Sequence, residues 1–328
     1  MQIRLKTILI AETCIILLLG AALIWVMALK SPSSPSLPDA NLDLLSKRVV
    51  LDPDYERSFS VVNLRPMRET FEQYIRVNNL NMSIYVENLR NGANMGIREK
   101  EGYTPASLNK LPLAILIMRK IENGELSLDT PLKIQENDRT DTSGDLYKDP
   151  VTELPLSAVL EKLLRESDNT AMNVLLHYVS SEDIQFMLDY YGLDLTLDFV
   201  QIEKNYSNLL SPKIMATLFL SLYSSTILEP KNSQYLLSLM EHTTFPIEDL
   251  AQLHPGTRVV HKFGERDIEG APIFHDCGII YDEESRLFYC IMTSGVPSEQ
   301  AALHTATLVN GIDEYVRYAR QSYKPRLS

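Results

Sequence analysis

The chain has 328 residues, 45% of them hydrophobic and 23% charged, an ordinary globular composition with room for one large domain or two small ones. Its formal net charge of −12, with no Lys/Arg cluster to reverse it, excludes a nucleic-acid-binding surface. Six His without a His-x-x-x-His spacing, three scattered Cys and no Gly-rich phosphate loop give no metal or nucleotide motif, so no cofactor is expected.

The first 30 residues differ in kind. Arg4 and Lys6 precede an apolar run over 8–29 in which Glu12 and Thr13 are the main interruptions. At about 1.5 Å per residue the run reaches about 33 Å, enough to cross a hydrocarbon core. Basic residues at its start predict an N-terminus inside and the rest outside. A cleaved signal peptide and a retained anchor both fit. The length of the run and the lack of a small-x-small cleavage site before Lys30 favour the anchor. Residues 1–30 are therefore expected to form a single-pass anchor in the cytoplasmic membrane, with the remainder extracytoplasmic. Residues 31–59 open on SPSSPSLPD, a Pro/Ser linker. No second linker or repeat interrupts 60–323, which reads as one domain.

Within that domain, 66–77 reads as a helix with Pro66 in its first turn. Residues 81–88 alternate like a strand, Asn91-Gly92 is a hairpin turn, and 93–98 returns. A helical block follows over 107–123, 156–166, 170–179 and 181–191. Residues 192–210 are irregular. Ser211-Pro212 starts a helix reaching 222, and another spans 233–242. Strands return at 258–263, 273–281 and 287–294, and a helix over 299–320 ends the domain. The order predicts an α+β fold: an antiparallel sheet with helices packed on its faces plus an all-helical lobe. A cleft belongs between the two.

Three short motifs fall along this frame, each weak alone. Ser107-Leu-Asn-Lys110 stands at a helix start, with Leu111, Ile115, Met118 and Ile121 on one face behind it. A Ser there has free N–H groups and a positive dipole end nearby, which suits an oxyanion. Lys110, one turn on, shares its face and can act as base if burial lowers its pKa. Pro112 frees the Leu108 carbonyl and distorts that turn. Ser167-Asp168-Asn169 lies between two helices. It can cap the second, relay a proton and hold an amide. Lys262-Phe263-Gly264 ends an apolar strand, where Lys262 can hold a carboxylate and Gly264 admits a substrate backbone.

The set resembles the Ser-x-x-Lys, Ser-Asp-Asn and Lys-Thr-Gly motifs of class A β-lactamases and penicillin-binding proteins. The flanking stretches SDNTAMNVL at 167–175, SPKIMAT at 211–217 and HDCGII at 275–280 look like class A as well. The resemblance covers roughly residues 60–320. It implies a serine hydrolase in which Ser107 is acylated and Lys110 is its proton partner. Ser167 passes a proton to the leaving nitrogen, Asn169 holds the substrate amide and Lys262 attracts a carboxylate. The backbone N–H groups of Ser107 and Glu265 form the oxyanion hole. The substrate is a β-lactam or a cell-wall peptide.

Two departures matter. Phe263 replaces the hydroxyl residue that helps hold a carboxylate. The loop over 192–210 should carry a deacylating Glu, three residues after a Leu-Asp and four before an Asn. Here Leu197-Asp198 leads to Gln201 and then Asn205, so both spacings place Gln201 there; Glu203 is the other candidate. A Gln holds a water but takes no proton from it. The expected function is acyl transfer from a β-lactam to Ser107 with slow release. The alternatives are a D-alanyl carboxypeptidase or esterase of penicillin-binding type, and a non-catalytic cell-envelope binding protein.

Two further pairs are legible. His275 and Asp276 read as a structural hydrogen-bonding pair. If 273–281 and 287–294 form a hairpin about 282–285, Cys277 faces Cys290. A disulfide and a pair of packed thiols are then both open.

Overall fold

The structure is a computed structural model that describes residues 63–323 apart from 192–209, 269 and 283–284. The expected anchor (8–29) and the loop with Gln201 and Glu203 lie outside these residues. Among the described residues no helix is long and apolar enough to cross a membrane.

Helix α1 (Arg65–Val77) carries Pro66 in its first turn, where a missing N–H is harmless, and buries Met67, Phe71 and Ile75 at fourfold spacing. Strands β1 (Asn81–Asn88) and β2 (Asn94–Ile97) form the expected hairpin. A tight 3-10 turn (Ala106–Asn109) feeds α2 (Lys110–Glu122). Two three-residue strands, β3 (Pro131–Lys133) and β4 (Glu153–Pro155), make a small second sheet that the sequence did not announce. The helical lobe continues through α3 (Leu156–Arg165), α4 (Asn169–Leu176), α5 (Ser181–Tyr191), α6 (Pro212–Tyr223) and α7 (Pro230–Met240). After the short α8 (Ile247–Leu250) come β5 (Arg258–Ile268), β6 (Ala271–Tyr281), β7 (Arg286–Ser294) and the closing helix α9 (Ser298–Tyr323).

The main sheet has five antiparallel strands in the order β2-β1-β7-β6-β5, so β5 is an edge. Alternation along the strands divides the core in two. Tyr85, Cys277, Ile279, Phe288, Cys290 and Met292 face the helical lobe. Met82, Ile84, Val86, Ile280, Tyr289 and Ile291 pack against α1 and α9. This is the expected α+β architecture.

Helix α2 departs from the expected one-sided pattern. Every residue from Lys110 to Met118 is buried, so the helix runs through the middle of the lobe rather than along its surface. Strand β5 also runs past the expected end at 263. Glu265, Arg266 and Asp267 look like loop residues, but they pair with Phe274, Ile273 and Pro272 as an edge strand exposed on one side.

Candidate active site

The 3-10 turn holds Ser107 at the entrance to the central helix. Ala106, just before it, has φ +47°, a left-handed conformation that an L-residue adopts only under constraint. Pro112 sits in the first turn of α2, where its lost N–H has no helical partner to leave. Ser107 itself is half-buried.

Lys110 is 1% exposed, and four oxygens surround its Nζ. Ser107 Oγ lies at 2.9 Å, Asn169 Oδ1 at 2.6 Å and Ser167 Oγ at 3.2 Å, and the Ser167 carbonyl is in contact as well. An ammonium has three N–H donors for these four. A neutral amine instead offers a lone pair to the Ser107 hydroxyl proton. Burial favours that form: it lowers the Lys110 pKa to about 7, against the opposing pull of the Asp168 charge.

Ser167 is held by the end of one helix and the start of the next. It follows the cap of α3 with φ +57°, the left-handed turn that closes many helices. Asp168 then caps α4, accepting from Ala171 N at 2.8 Å. Its other oxygen accepts from Leu146 N at 2.9 Å. The segment before Leu146 closes around this corner. Ser143 Oγ donates to the Ser167 carbonyl at 2.9 Å, Asn169 N donates to the Ser143 carbonyl at 3.0 Å, and Asn169 Nδ2 donates to Thr142 Oγ1 at 2.7 Å. Gly144 is required here. It has φ +81°, and a Cβ on it would stand 2.0 Å from Asp168 Oδ2. Sequence reading missed Thr142 and Ser143 as part of the site. Their one signal in the sequence is the Ser143-Gly144 pair, a dipeptide that marks a turn.

On β5, Lys262 and Gly264 share the sheet face that meets the lobe, in register with Cys277 and His275. A Cβ on Gly264 would lie 2.7 Å from Ser107 N and 3.2 Å from Leu108 N. The glycine thus makes room for the turn that carries Ser107, where the sequence suggested room for a substrate backbone. Lys262 is wholly buried, and its Nζ donates to the Phe263 carbonyl at 3.0 Å. Burial, helped by the Lys110 charge, depresses its pKa well below the usual lysine range, while Asp276 opposes the shift. Glu265 is exposed, one residue beyond Gly264.

His275 and Asp276 do not pair, because adjacent strand residues point to opposite faces. His275 bonds the Thr104 carbonyl at 2.9 Å beside the nucleophile turn, and burial lowers its pKa to about 4. Asp276 lies on the other face, bonded to His261 Nδ1 at 2.7 Å and accepting from Tyr289 OH at 2.6 Å. The hairpin register is the one the sequence predicted, and Cys277 and Cys290 are joined as a disulfide with Cα atoms 3.9 Å apart.

Three carboxylates, Asp145, Glu166 and Asp168, approach one another within 4.8 Å. Lys162 bridges the first two, at 3.1 and 2.9 Å, and Asp168 already holds two backbone N–H groups. The group is an ion-paired corner whose carboxylates accept from Lys162 and from backbone N–H groups.

A buried Lys against a Ser at a helix start and a second Ser in reach of the same amine, beside a Lys-x-Gly edge strand, are the groups that a serine acyl transfer requires. A sequence model of the Beta-lactamase enzyme family matches residues 66–310, and the chain belongs to that family of serine hydrolases. The β-lactamase VEB-1 of Pseudomonas aeruginosa is 23% identical over 234 residues, 66% of this chain and 78% of that protein. The solved structure of PBP-A superposes with a TM-score of 0.69 at 21% identity, covering 79% of this chain and all of PBP-A. The TLA-3 extended-spectrum β-lactamase gives 0.71 at 21% identity, covering 77% of this chain and 99% of its own. At these identities the two solved structures bear on the fold.

Proposed function

We propose that this chain is an outward-facing acyl-transferase on β-lactams that releases its product slowly. The observation that carries the reading is the Lys110 amine, buried and 2.9 Å from Ser107 Oγ. Neutral Lys110 takes the Ser107 hydroxyl proton as Oγ bonds to the lactam carbonyl carbon. The oxyanion faces the N–H groups of Ser107 and Glu265. The C–N bond then breaks, and the nitrogen receives the proton from Lys110 by way of Ser167, which lies 3.2 Å from the same amine. Asn169 orients the substrate amide. Water finally splits the ester, its hydroxyl going to the acyl carbon and its proton to Ser107 Oγ.

That last step needs a base, and Gln201 stands where both family spacings place one. The ester is then long-lived. A cell-wall peptide in place of the β-lactam is the second reading, favoured by the same Gln201, since an acyl-enzyme that resists water can wait for an amine. A point mutant of PBP-A has been solved as an acyl-enzyme complex with penicillin G, which supports the kinship of the two readings. Residues 1–30 are read as the cytoplasmic-membrane anchor, 31–59 as a linker and 60–323 as the catalytic domain outside.

The test is intact-mass analysis of the full-length protein mixed with benzylpenicillin and followed over time. The reading expects one added mass that Ser107→Ala abolishes and that decays slowly. Rapid return to the free mass would assign a fast β-lactamase. No adduct at any time, with the substrate intact, would overturn the proposal.

A further inference from the structure

The carbonyl of Ser167 accepts from two donors at once. One is the Lys110 amine, and the other is the Ser143 hydroxyl at 2.9 Å. A carbonyl oxygen has two lone pairs, so the hydroxyl takes one that would otherwise be open to the amine. Its hydrogen also turns a partial positive charge toward the ammonium, and like charges repel in a poorly screened interior. Of the four oxygens around Nζ, this one therefore holds the protonated amine less well than its position suggests.

Ser143 is placed by bonds that do not use its hydroxyl. Its carbonyl accepts from Asn169 N at 3.0 Å. Gly144 tucks against Asp168 where no Cβ fits, and Leu146 N donates to the same carboxylate at 2.9 Å. Arg139 ties the rest of the loop over 139–151. Its guanidinium donates to the carbonyls of Leu146, Tyr147, Asp149 and Val151 at 2.7 to 3.2 Å. The clamp on the Ser167 corner thus stands on backbone bonds and on Arg139, and the Ser143 hydroxyl is left to act on the carbonyl. Among the described residues, two charged groups bear on Lys110 as well. Asp168 at the cap of α4 favours the ammonium, and Lys262 on β5 opposes it.

We propose that Ser143 is a positioning residue of this centre, whose hydroxyl weakens the hold of the Ser167 carbonyl on the Lys110 ammonium and so keeps the amine ready for the Ser107 proton. The inference rests on the acyl-transfer reading above and adds a residue to it. The Ser107 proton passes to Lys110 Nζ as Oγ bonds to the carbonyl carbon; Ser143 forms and breaks no covalent bond.

The ionisation of Lys110 is read first without substrate, by NMR titration of isotope-labelled lysine ε-carbons in the full-length protein. The Lys110 signal is assigned by its absence from Lys110→Met. Ser143→Ala should raise the midpoint by about one pH unit, the equivalent of a stronger hydrogen bond to the ammonium. The pH profile of acylation by benzylpenicillin should move up by the same amount. Ser143→Thr keeps the donor and should titrate as the parent does. Ser143→Cys, close in shape but a weak donor, should raise the midpoint by less, and it stands in should the alanine variant fail to fold. A folded Ser143→Ala protein with the parent's midpoint overturns the inference whatever its rate, because a purely structural hydroxyl alters the rate and leaves the titration alone. So does a midpoint that falls. If the midpoint rises but benzylpenicillin never modifies the parent, the acyl-transfer reading fails while the action of Ser143 on Lys110 stands.

Discussion

Gly264 and Ser107 touch backbone to backbone: the edge strand of the sheet and the turn of the nucleophile leave no room between them for a single methyl group, whose carbon would lie 2.7 Å from Ser107 N. The contact fixes how far Ser107 stands from the strand that carries Glu265, whose N–H is the second oxyanion donor in the proposed function.

Gly264→Ala should therefore push the turn off the strand. The backbone at 264 is extended and tolerates alanine, so the effect is steric. A displacement of the order of 1 Å in a reacting group lowers rate by about 10²-fold. Acylation by benzylpenicillin should drop by about that factor, while far-ultraviolet circular dichroism stays that of the parent. An alanine variant with the parent rate would mean that the turn has slack the structure does not show.

Lys110 should set the pH profile of acylation. With its pKa lowered by burial to about 7, the amine is protonated below that value and free above it. The acylation rate should rise with pH through about 7 and then level off. Lys110→Ala should be slower by about 10²-fold or more and lose that inflection. The same shift has a stability consequence. Between about 7 and the ordinary lysine value of 10.5 the unfolded chain holds a proton at Lys110 that the folded chain has released. Unfolding then takes up a proton, so this group's contribution to stability grows as pH rises across that window and is flat below it. Urea midpoints of the parent compared with Lys110→Met should move in the parent's favour from pH 7 to pH 10.5.

Asp168 is the cornerstone of the second motif. Removing its carboxylate strips a helix cap and leaves the buried Leu146 N–H without an acceptor. Asp168→Ala should cost about 2–4 kcal/mol of stability, read from urea denaturation. Acylation should slow as well, since Ser167 and Asn169 flank the lost anchor. A variant with parent stability would mean that water replaces both bonds without penalty.

Much of this was legible before any coordinates. The strand expected over 81–88 matches β1 to the residue: it is buried on both faces, and its short, mostly apolar run is bounded by Asn81 and Asn88. The register of Cys277 with Cys290 followed from loop length alone. The relation of Ser107 to Lys110 is local, and local geometry is what sequence spacing encodes. Other features were out of reach. The second half of β5 hid behind the charges of Glu265, Arg266 and Asp267, since an exposed edge places no demand for apolar residues. Strands β3 and β4 carry one buried residue in six, Leu132, too little for any periodicity. Asp276 was assigned to the wrong partner because its true partners, His261 and Tyr289, come from neighbouring strands. Thr142 and Ser143 join Asn169 and Ser167 across a fold in the chain that no spacing rule describes.

Gln201 gives a prediction that stands on the sequence. Gln201→Glu should restore a base at the water and speed loss of the acyl group, by about 10²-fold or more for a general base. Glu203→Gln is the control. If that variant instead abolishes a turnover the parent possesses, Glu203 is the base and the Gln201 alignment falls.

The left-handed backbone at Ala106 and Ser167 has a consequence for how this protein can change. Such a conformation costs an L-residue about 1–2 kcal/mol, and glycine would be relieved of it at either position. Asn79, Ser225 and Gln252 share the conformation, and each follows a helix cap. Ser167 closes α3 and also brings its hydroxyl to Lys110, while Ala106 opens the 3-10 turn that carries Ser107. A lineage selected for heat resistance alone would drift toward glycine at 167 and lose the hydroxyl that reaches Lys110. Turnover and thermal endurance thus compete for the same few backbone angles, and a serine retained at 167 in a thermostable descendant would be a fossil of chemistry still in use.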